Sequence, residues 1–426
     1  MPASLSLYGP YPRLRIYTSA RLYGESLWRV LSGRYDDGPE VQRLTDVLET
    51  RLNAHVVPVP MARTGIYLCL KALIQPGQEV ILSPYTIADV VNMVICAGGR
   101  PVFADLAPGT CNVDPEKVAA AITPRTGCVL VTHFYGLMCD MDRLRAICDR
   151  HGLPLLEDAA QAFGARLGGR PAGTLGTAGV FSFGLYKPVN SFLGGAVVTR
   201  DAGLRDRLAA EMAGMSVQPR GPWLAKLGEA LRIDLVTQPT LFGAAFFWLF
   251  RHAFLNGIDA INNRLKIDLD PKLKVSVPPS YLHRLSATQA ALILAQLDGV
   301  EAALQERIAA ARLYHAGLRD VAGLTLPPLR DDGSHAYWYF TPIAENDGPR
   351  GRHALVGHAM RMGRDIAESY HRNCADLPCF AAWAGDCPEA RRTAAGVIYL
   401  PTYPGLPVGQ VEANVAMIRD FFGADL

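Results

Sequence analysis

Cysteine pairing, strong charge and a membrane-length apolar run are all missing from this sequence, and each absence removes a class of function. The nine cysteines are odd in number, and none falls in a CxxC or other zinc-type spacing, so neither a disulfide framework nor a metal site is expected. No secretory-type leader opens the chain. Cys69, Cys96, Cys128 and Cys148 lie among apolar residues, as reduced core thiols of a cytoplasmic protein do. Charged residues make up 19% of the chain, the net charge is +2 and no long basic run occurs, so nucleic acid has no electrostatic footprint here. No GxGxxG follows a strand and no P-loop signature occurs, which argues against a nicotinamide oxidoreductase and against a P-loop nucleotide enzyme. What is present is a chain of 426 residues, half of them hydrophobic, long enough for two domains or for one large and one small.

The first 54 residues carry little chemistry: an extended PYPRLRIYTS stretch, a turn at Asp36–Pro39, and a helix with Val41, Leu44, Val47, Leu48 and Leu52 on one face. From Val56 the pattern alternates between strand and helix. EVILS, RPVFADL, CVLVTHFYG and LPLLEDA read as buried strands, with helices through Val90–Ala97, Asp114–Ile122 and Leu144–Asp149 between them. Repeated βα units with continuous apolar strands predict a mainly parallel sheet covered on both faces. Ligands of such sheets sit beyond the strand carboxyl ends, where Thr86, Asp105, His133, Asp158 and Gln161 are expected. A strand-end histidine is by default satisfied by its neighbours, so His133 stays outside the catalytic set.

One stretch concentrates the chemistry. Residues 155–199 pass from a strand ending in Glu157 and Asp158 through a small-residue turn to a second strand and then to Lys187. A carboxylate at a strand end and a lysine just past the next strand are the two groups that pyridoxal phosphate needs. Asp158 would pair with the protonated pyridine nitrogen, and Lys187 would hold the aldehyde carbon. Ser182 offers a hydroxyl to the phosphate, and Gly194–Gly195 lets the backbone approach closely. Earlier, a strand runs into Ala62-Arg63-Thr64-Gly65 at a helix N-terminus, whose free N–H groups and dipole suit a phosphate.

The string EDAAQAFGA…FSFGLYK…GGAVVT closely resembles the signature of the DegT family of sugar aminotransferases, and YLHRLSATQAALILAQL and LPTYP resemble its later motifs. The resemblance covers roughly 40–214 and 281–424. It implies fold type I of the pyridoxal-phosphate transferases: a large domain with a mainly parallel sheet, and a small C-terminal α+β domain. It also implies Lys187 and Asp158 as catalytic residues, Gln161 on the ring oxygen, and Ser182, Thr64, Gly65 and Arg63 at the phosphate. The expected reaction moves an amino group from an amino acid, by analogy glutamate, to a keto-sugar, by analogy nucleotide-linked, in a homodimer. Alternatives are a non-sugar ketone, or a cofactor-binding regulatory or membrane-docked protein without catalysis. A dehydrating branch of the family replaces the lysine with histidine, and Lys187 argues against it.

Three positions depart from the family pattern. Ala62-Arg63-Thr64 stands where Ser-Gly-Thr is usual, and Ile87 where an aromatic stacks on the ring, leaving Ile87, Tyr85 or another aromatic for that task. Leu282 replaces the asparagine that normally reaches the partner's phosphate, with His283 or Arg284 as substitutes. The segments expected are 1–214, an insertion at 215–280 that matches nothing in the family, and 281–426. The insertion carries the apolar run Leu241–Phe250 followed by Arg251 and His252. About ten residues are too few to span a bilayer, which takes about 20. Burial in the core or in an oligomer contact is expected first, and a membrane-surface contact through 240–255 second.

Overall fold

In a computed structural model of the chain, residues 9–16, 18–258, 260, 270–345 and 348–423 are described; the parts of segments 1–214, 215–280 and 281–426 at other positions lie outside the described residues. A seven-stranded sheet organises the large domain. Its strands are β1 (His55–Val59), β2 (Glu79–Leu82), β3 (Arg100–Phe103), β4 (Thr126–Thr132), β5 (Leu155–Asp158), β6 (Ala178–Ser182) and β7 (Gly195–Thr199). The order is β1-β7-β6-β5-β4-β2-β3. Only β7 runs against its neighbours. This is the mainly parallel sheet expected.

The reason is visible in the strand residues. Val129, Val131, Leu155 and Phe181 join one hydrophobic cluster, and Cys128, Leu130, Leu156 and Val180 join another. Alternate residues therefore feed opposite faces, and both faces are covered, which is why these strands read as continuous apolar runs. The same alternation sends Glu157 and Asp158 to opposite faces.

The helices form where the periodicity places them: Glu40–Leu52, Ala62–Leu73, Ala88–Cys96, Pro115–Ala121 and Met141–His151. Ser286 and Gln289 make a reciprocal capping box that starts the helix Ala287–Leu294. The long helix Val300–Leu318 leads into the small C-terminal part. There, short strand pairs (Leu324–Thr325 with Ile343–Ala344, Ala367–Glu368 with Ile398–Tyr399) accompany helices Arg352–Arg361, Pro388–Gly396 and Val408–Gly423. All nine cysteines are free thiols, seven of them buried.

The segment expected to be a separate insertion is tied in at its base, where Ser216–Val217 pairs with His283–Arg284. Its first helix, Arg220–Val236, buries Trp223 and Ala230 in a cluster with Tyr23, Tyr35 and Phe192. A bend of 61° leads to the helical stretch Pro239–Leu255. Phe242–Phe246 makes a π-helical turn there, and Phe242 and Phe247 are buried against Met360 of the helix Arg352–Arg361. Leu241, Trp248 and Leu249 point outward and are exposed. The apolar run is thus core on one side and surface on the other. No single helix among the described residues is long and apolar enough to cross a membrane.

Candidate active site

The carboxyl ends of β1, β4, β5 and β6 meet at one edge of the sheet. Thr132 lies beside Asp158, Asp158 beside Val180, and Ser182 beside Gly195, which in turn lies beside Val59 at the end of β1. Three residues after Val59 the helix Ala62–Leu73 begins. Its N-cap, Met61, has no side-chain hydrogen bond, so its first amides are left for another acceptor. A Cβ at Gly195 would lie 2.7 Å from the Phe181 carbonyl oxygen and 3.0 Å from the Ala62 nitrogen, so only glycine lets β7 pass between Ser182 and this helix start.

Asp158 is 5% exposed. Its Oδ1 accepts from the Ala160 N–H at 3.1 Å and its Oδ2 from the Thr132 hydroxyl at 3.4 Å. Burial raises its pKa above the ordinary carboxylate range, against the pull of the Ala160 N–H and of Lys187. Lys187 sits in the loop after β6, with its N–H donated to the Gly184 carbonyl at 3.0 Å. Its Nζ lies 4.2 Å from the centre of the Trp338 ring, and the Trp338 indole N–H donates to the Tyr186 carbonyl at 3.0 Å. Burial lowers the Lys187 pKa to about 8, with Asp158 pulling the other way. The two groups feel each other's charge, and burial leaves both short of solvation, the arrangement expected where a charged group is to be bound.

The Lys187 loop is held from outside the sheet. The Trp223 indole donates to the Ser191 carbonyl at 3.1 Å, and the Gln296 amide donates to the Asn190 carbonyl at 2.7 Å. Phe192 adopts a left-handed φ of 68°, strained for an aromatic residue, while its ring stacks on Tyr23 at 5.8 Å. The helices Ala20–Leu31 and Arg220–Val236 therefore roof the lysine loop.

Gln161 lies in a turn after β5, and its Oε1 accepts from the Tyr135 N–H at 2.6 Å, so the side-chain NH2 is the part of the amide that donates. The Ser182 Oγ accepts from the Gly184 N–H at 3.3 Å. Thr64 is fully buried and donates to the Tyr281 carbonyl at 2.7 Å. Gly65 packs on the sheet, where a Cβ would come within 2.8 Å of Val180. Arg63 is engaged elsewhere: its guanidinium bonds Asp89 at 2.5 Å and the Tyr281 hydroxyl at 2.9 Å. Burial works to raise the Asp89 pKa, but Lys274, Arg63 and Tyr281 outweigh it and hold Asp89 at about 2.

Neighbouring candidates have structural partners. His133 is fully buried; its Nδ1 accepts from the Cys139 N–H at 3.2 Å, so its Nε2 carries the proton toward Glu157 at 2.9 Å. The Asp105 carboxylate accepts from the N–H groups of Glu389 and Ala390 at the start of the helix Pro388–Gly396. Tyr85 is fully buried with its hydroxyl 2.9 Å from both the Tyr135 and Ser369 hydroxyls, while Ile87 is on a cavity wall beside Thr86 and the rings of Tyr370 and His371. His283 bonds Ser216 and Arg284 bonds Asp37, both within the subunit.

Sequence reasoning missed three features. Trp338 was hidden in an aromatic-rich string, SHAYWYF, with nothing to mark which ring meets the lysine. His371, its pKa held at about 3 by burial and by the Lys187 charge, joins the hydroxyls of Tyr135, Ser369 and Tyr399. The N-terminal segment brings Arg13 and Arg15 to the cavity beside Lys187, along with Arg307. Arg13 is bound by Asp365, Arg307 faces the Tyr337 and Trp338 carbonyls, and the buried Nε of Arg15 has no partner among the described residues.

The DegT/DnrJ/EryC1/StrS aminotransferase family model matches residues 24–236 and 263–419. The chain belongs to this family. The spore coat polysaccharide biosynthesis protein SpsC of Bacillus subtilis (strain 168) is 30% identical over 404 residues, with 92% of each chain covered. DesV of S. venezuelae is 28% identical with a TM-score of 0.72 and 94% of each chain covered. The aminotransferase from Psychrobacter cryohalolentis shares the fold at a TM-score of 0.76 and 21% identity, covering 98% of this chain and 99% of that one. This aminotransferase has the fold type I architecture, and its family match omits residues 237–262.

Proposed function

We propose that this aminotransferase holds pyridoxal 5'-phosphate at Lys187 and moves an amino group from an amino acid, glutamate being expected, to a nucleotide-linked keto-sugar. The observation that carries the reading is the placing of Asp158 at the end of β5 and Lys187 in the loop after the neighbouring β6, near enough to act on each other's charge and both buried. These residues fit the cofactor. An ionised Asp158 is short of solvation and gains from a protonated ring nitrogen beside it. The uncapped amides at the start of Ala62–Leu73 and the Ser182 hydroxyl suit the phosphate. The Arg63 guanidinium, engaged with Asp89, adds positive charge nearby without a direct bond.

When bound, the cofactor supplies a sink for the electron pair left as the donor's Cα–H bond breaks. The protein does the rest. Lys187 Nζ takes that proton and later returns it, and a pKa near 8 makes it competent in both directions. Asp158 keeps the ring nitrogen positively charged, and the Gln161 side-chain NH2 orients the ring oxygen. Trp338 lies over the lysine and limits water there. Arg15, with a buried unpartnered Nε on the same cavity wall, holds the donor's carboxylate.

Absorbance of the purified protein before and after glutamate is the test. A cofactor band that shifts on addition supports the reading, and Arg15→Gln is expected to raise the glutamate concentration needed for half the shift. A protein with no such band, or a band that ignores every amino donor, would overturn it.

The lysine also predicts a pH dependence. Only the neutral amine attacks an aldehyde, so loading of the stripped protein is expected to speed up with pH through a midpoint near 8 and then level off. Stopped-flow absorbance reads this directly. A rate still climbing steeply at pH 10 would mean that Lys187 keeps the pKa of an ordinary lysine.

A further inference from the structure

One outward face is strongly apolar, and the catalytic reading does not use it. Residues 237–262 lie outside the family match, and the helix there exposes Leu241, Trp248 and Leu249 at 42%, 46% and 48%. These three sit on one stripe, opposite the buried Phe242 and Phe247. Across the bend, the helix Arg220–Val236 exposes Leu231 and Leu235 at 42% and 58%. The helix Ala20–Leu31, joined to it by the hydrogen bond from the Tyr23 hydroxyl to Asp234, exposes Leu27, Trp28 and Leu31 at 46%, 63% and 73%. Large apolar side chains gathered on packed neighbouring helices mark a contact surface.

Among the described residues, the exposed charges of these helices that lack an ion pair are cationic, the half-buried Asp234 being bonded to the neutral Tyr23 hydroxyl. Glu25 is bonded to Arg29, Glu229 to Lys226 and Asp234 to Tyr23. Arg21 and Arg232 are exposed and form no ion pair among the described residues. The outward stripe of Pro239–Leu255 carries no acid and ends beside Arg251 and His252.

We propose that this face docks on the surface of an anionic lipid bilayer, lying in the headgroup region without crossing it. A second copy meeting the face about a two-fold axis would set its unpaired cations against one another, whereas anionic lipid complements them. Residues 237–262, which carry Leu241, Trp248 and Leu249, lie outside the family match, so this part of the face is particular to the chain, while the two neighbouring helices fall largely within the match. Trp28 and Trp248 have the amphipathic rings favoured at the membrane–water boundary, and neither helix alone has the length and hydropathy to span it.

Flotation of the purified holoenzyme with vesicles tests this. At low salt the protein is expected to float with vesicles of phosphatidylglycerol and phosphatidylcholine, and to stay down with phosphatidylcholine alone. Changing Leu241, Trp248 and Leu249 together to serine is expected to lower the floated fraction roughly tenfold, with sedimentation and the spectral response to glutamate unchanged. Arg21→Gln with Arg232→Gln is expected to weaken flotation and flatten its salt dependence. A wild-type protein that ignores anionic vesicles, or a triple variant that floats as well as wild type, overturns the proposal. A triple variant that changes its sedimentation instead assigns the face to contact between copies, and the lipid assignment is then wrong.

Discussion

Changing Lys187 to alanine is expected to slow amino transfer by at least about 10³-fold while leaving the protein folded, since positioned acid–base groups contribute roughly 10²–10⁴ and this one also holds the cofactor. The folding half of the expectation comes from burial. Lys187 has a pKa near 8 in the folded protein, below the 10.5 of a free lysine, so folding binds its proton less well than the unfolded chain does. Below about pH 8 the lysine therefore costs stability, and that cost fades as pH rises from 8 toward 10.5. The alanine variant, stripped of cofactor, is expected to melt no lower than wild type at pH 7 and to lose any advantage above pH 10. In parallel, borohydride reduction of the wild-type holoenzyme followed by peptide mapping is expected to place the cofactor on Lys187. Turnover within tenfold of wild type, or an adduct on another lysine, would remove Lys187 from the reaction.

The parts of the fold that could be read from the sequence are those where local chemistry and tertiary packing agree. Strands β2, β4 and β5 are continuous apolar runs because both their faces are covered, and the helices between them keep one apolar stripe each. The site was legible where it follows from strand position. Asp158 and Ser182 end neighbouring parallel strands, and the loop that follows carries Lys187. Contacts made across long sequence separations were not legible. Trp338 meets Lys187 from 151 positions away, and Arg15 reaches the same cavity from the N-terminal segment. The helix Arg220–Val236 read as part of an unplaced insertion, yet Trp223 fastens the lysine loop; a tryptophan's partner cannot be named from its neighbours in sequence. The run Leu241–Phe250 shows a further limit. Its composition gives apolarity all round, but the division into a buried Phe242–Phe247 side and an exposed Leu241–Trp248 side is set by the helix Arg352–Arg361, far along the chain.

The adjacent acids Glu157 and Asp158 are expected to fail in opposite ways, because one residue along a strand reverses the face. Glu157 is fully buried and accepts from four donors: His133 Nε2 at 2.9 Å and the N–H groups of Gly173, Leu175 and Gly176 at 2.9, 2.7 and 2.5 Å. In Glu157→Gln one oxygen becomes an NH2 facing donors, so at least one buried N–H loses its acceptor. Losing a charged acceptor for buried groups costs roughly 3 kcal/mol or more, and the variant is expected to melt well below wild type. Asp158→Asn keeps the oxygen that receives the Ala160 N–H and removes a carboxylate whose ionised form the site solvates poorly. The folded pKa of Asp158 lies above its unfolded value, so wild type bears this cost once pH exceeds that folded value, and asparagine relieves it. Stripped of cofactor, the Asn variant should therefore match or exceed the thermal midpoint of wild type at pH 7. Its turnover should nevertheless fall by roughly 10²–10³, because a neutral partner no longer holds a proton on the ring nitrogen as charge develops. Calorimetry and steady-state rates on the two variants separate the roles. An Asp158→Asn enzyme within threefold of wild-type turnover would make the carboxylate a turn-forming residue with no part in the chemistry.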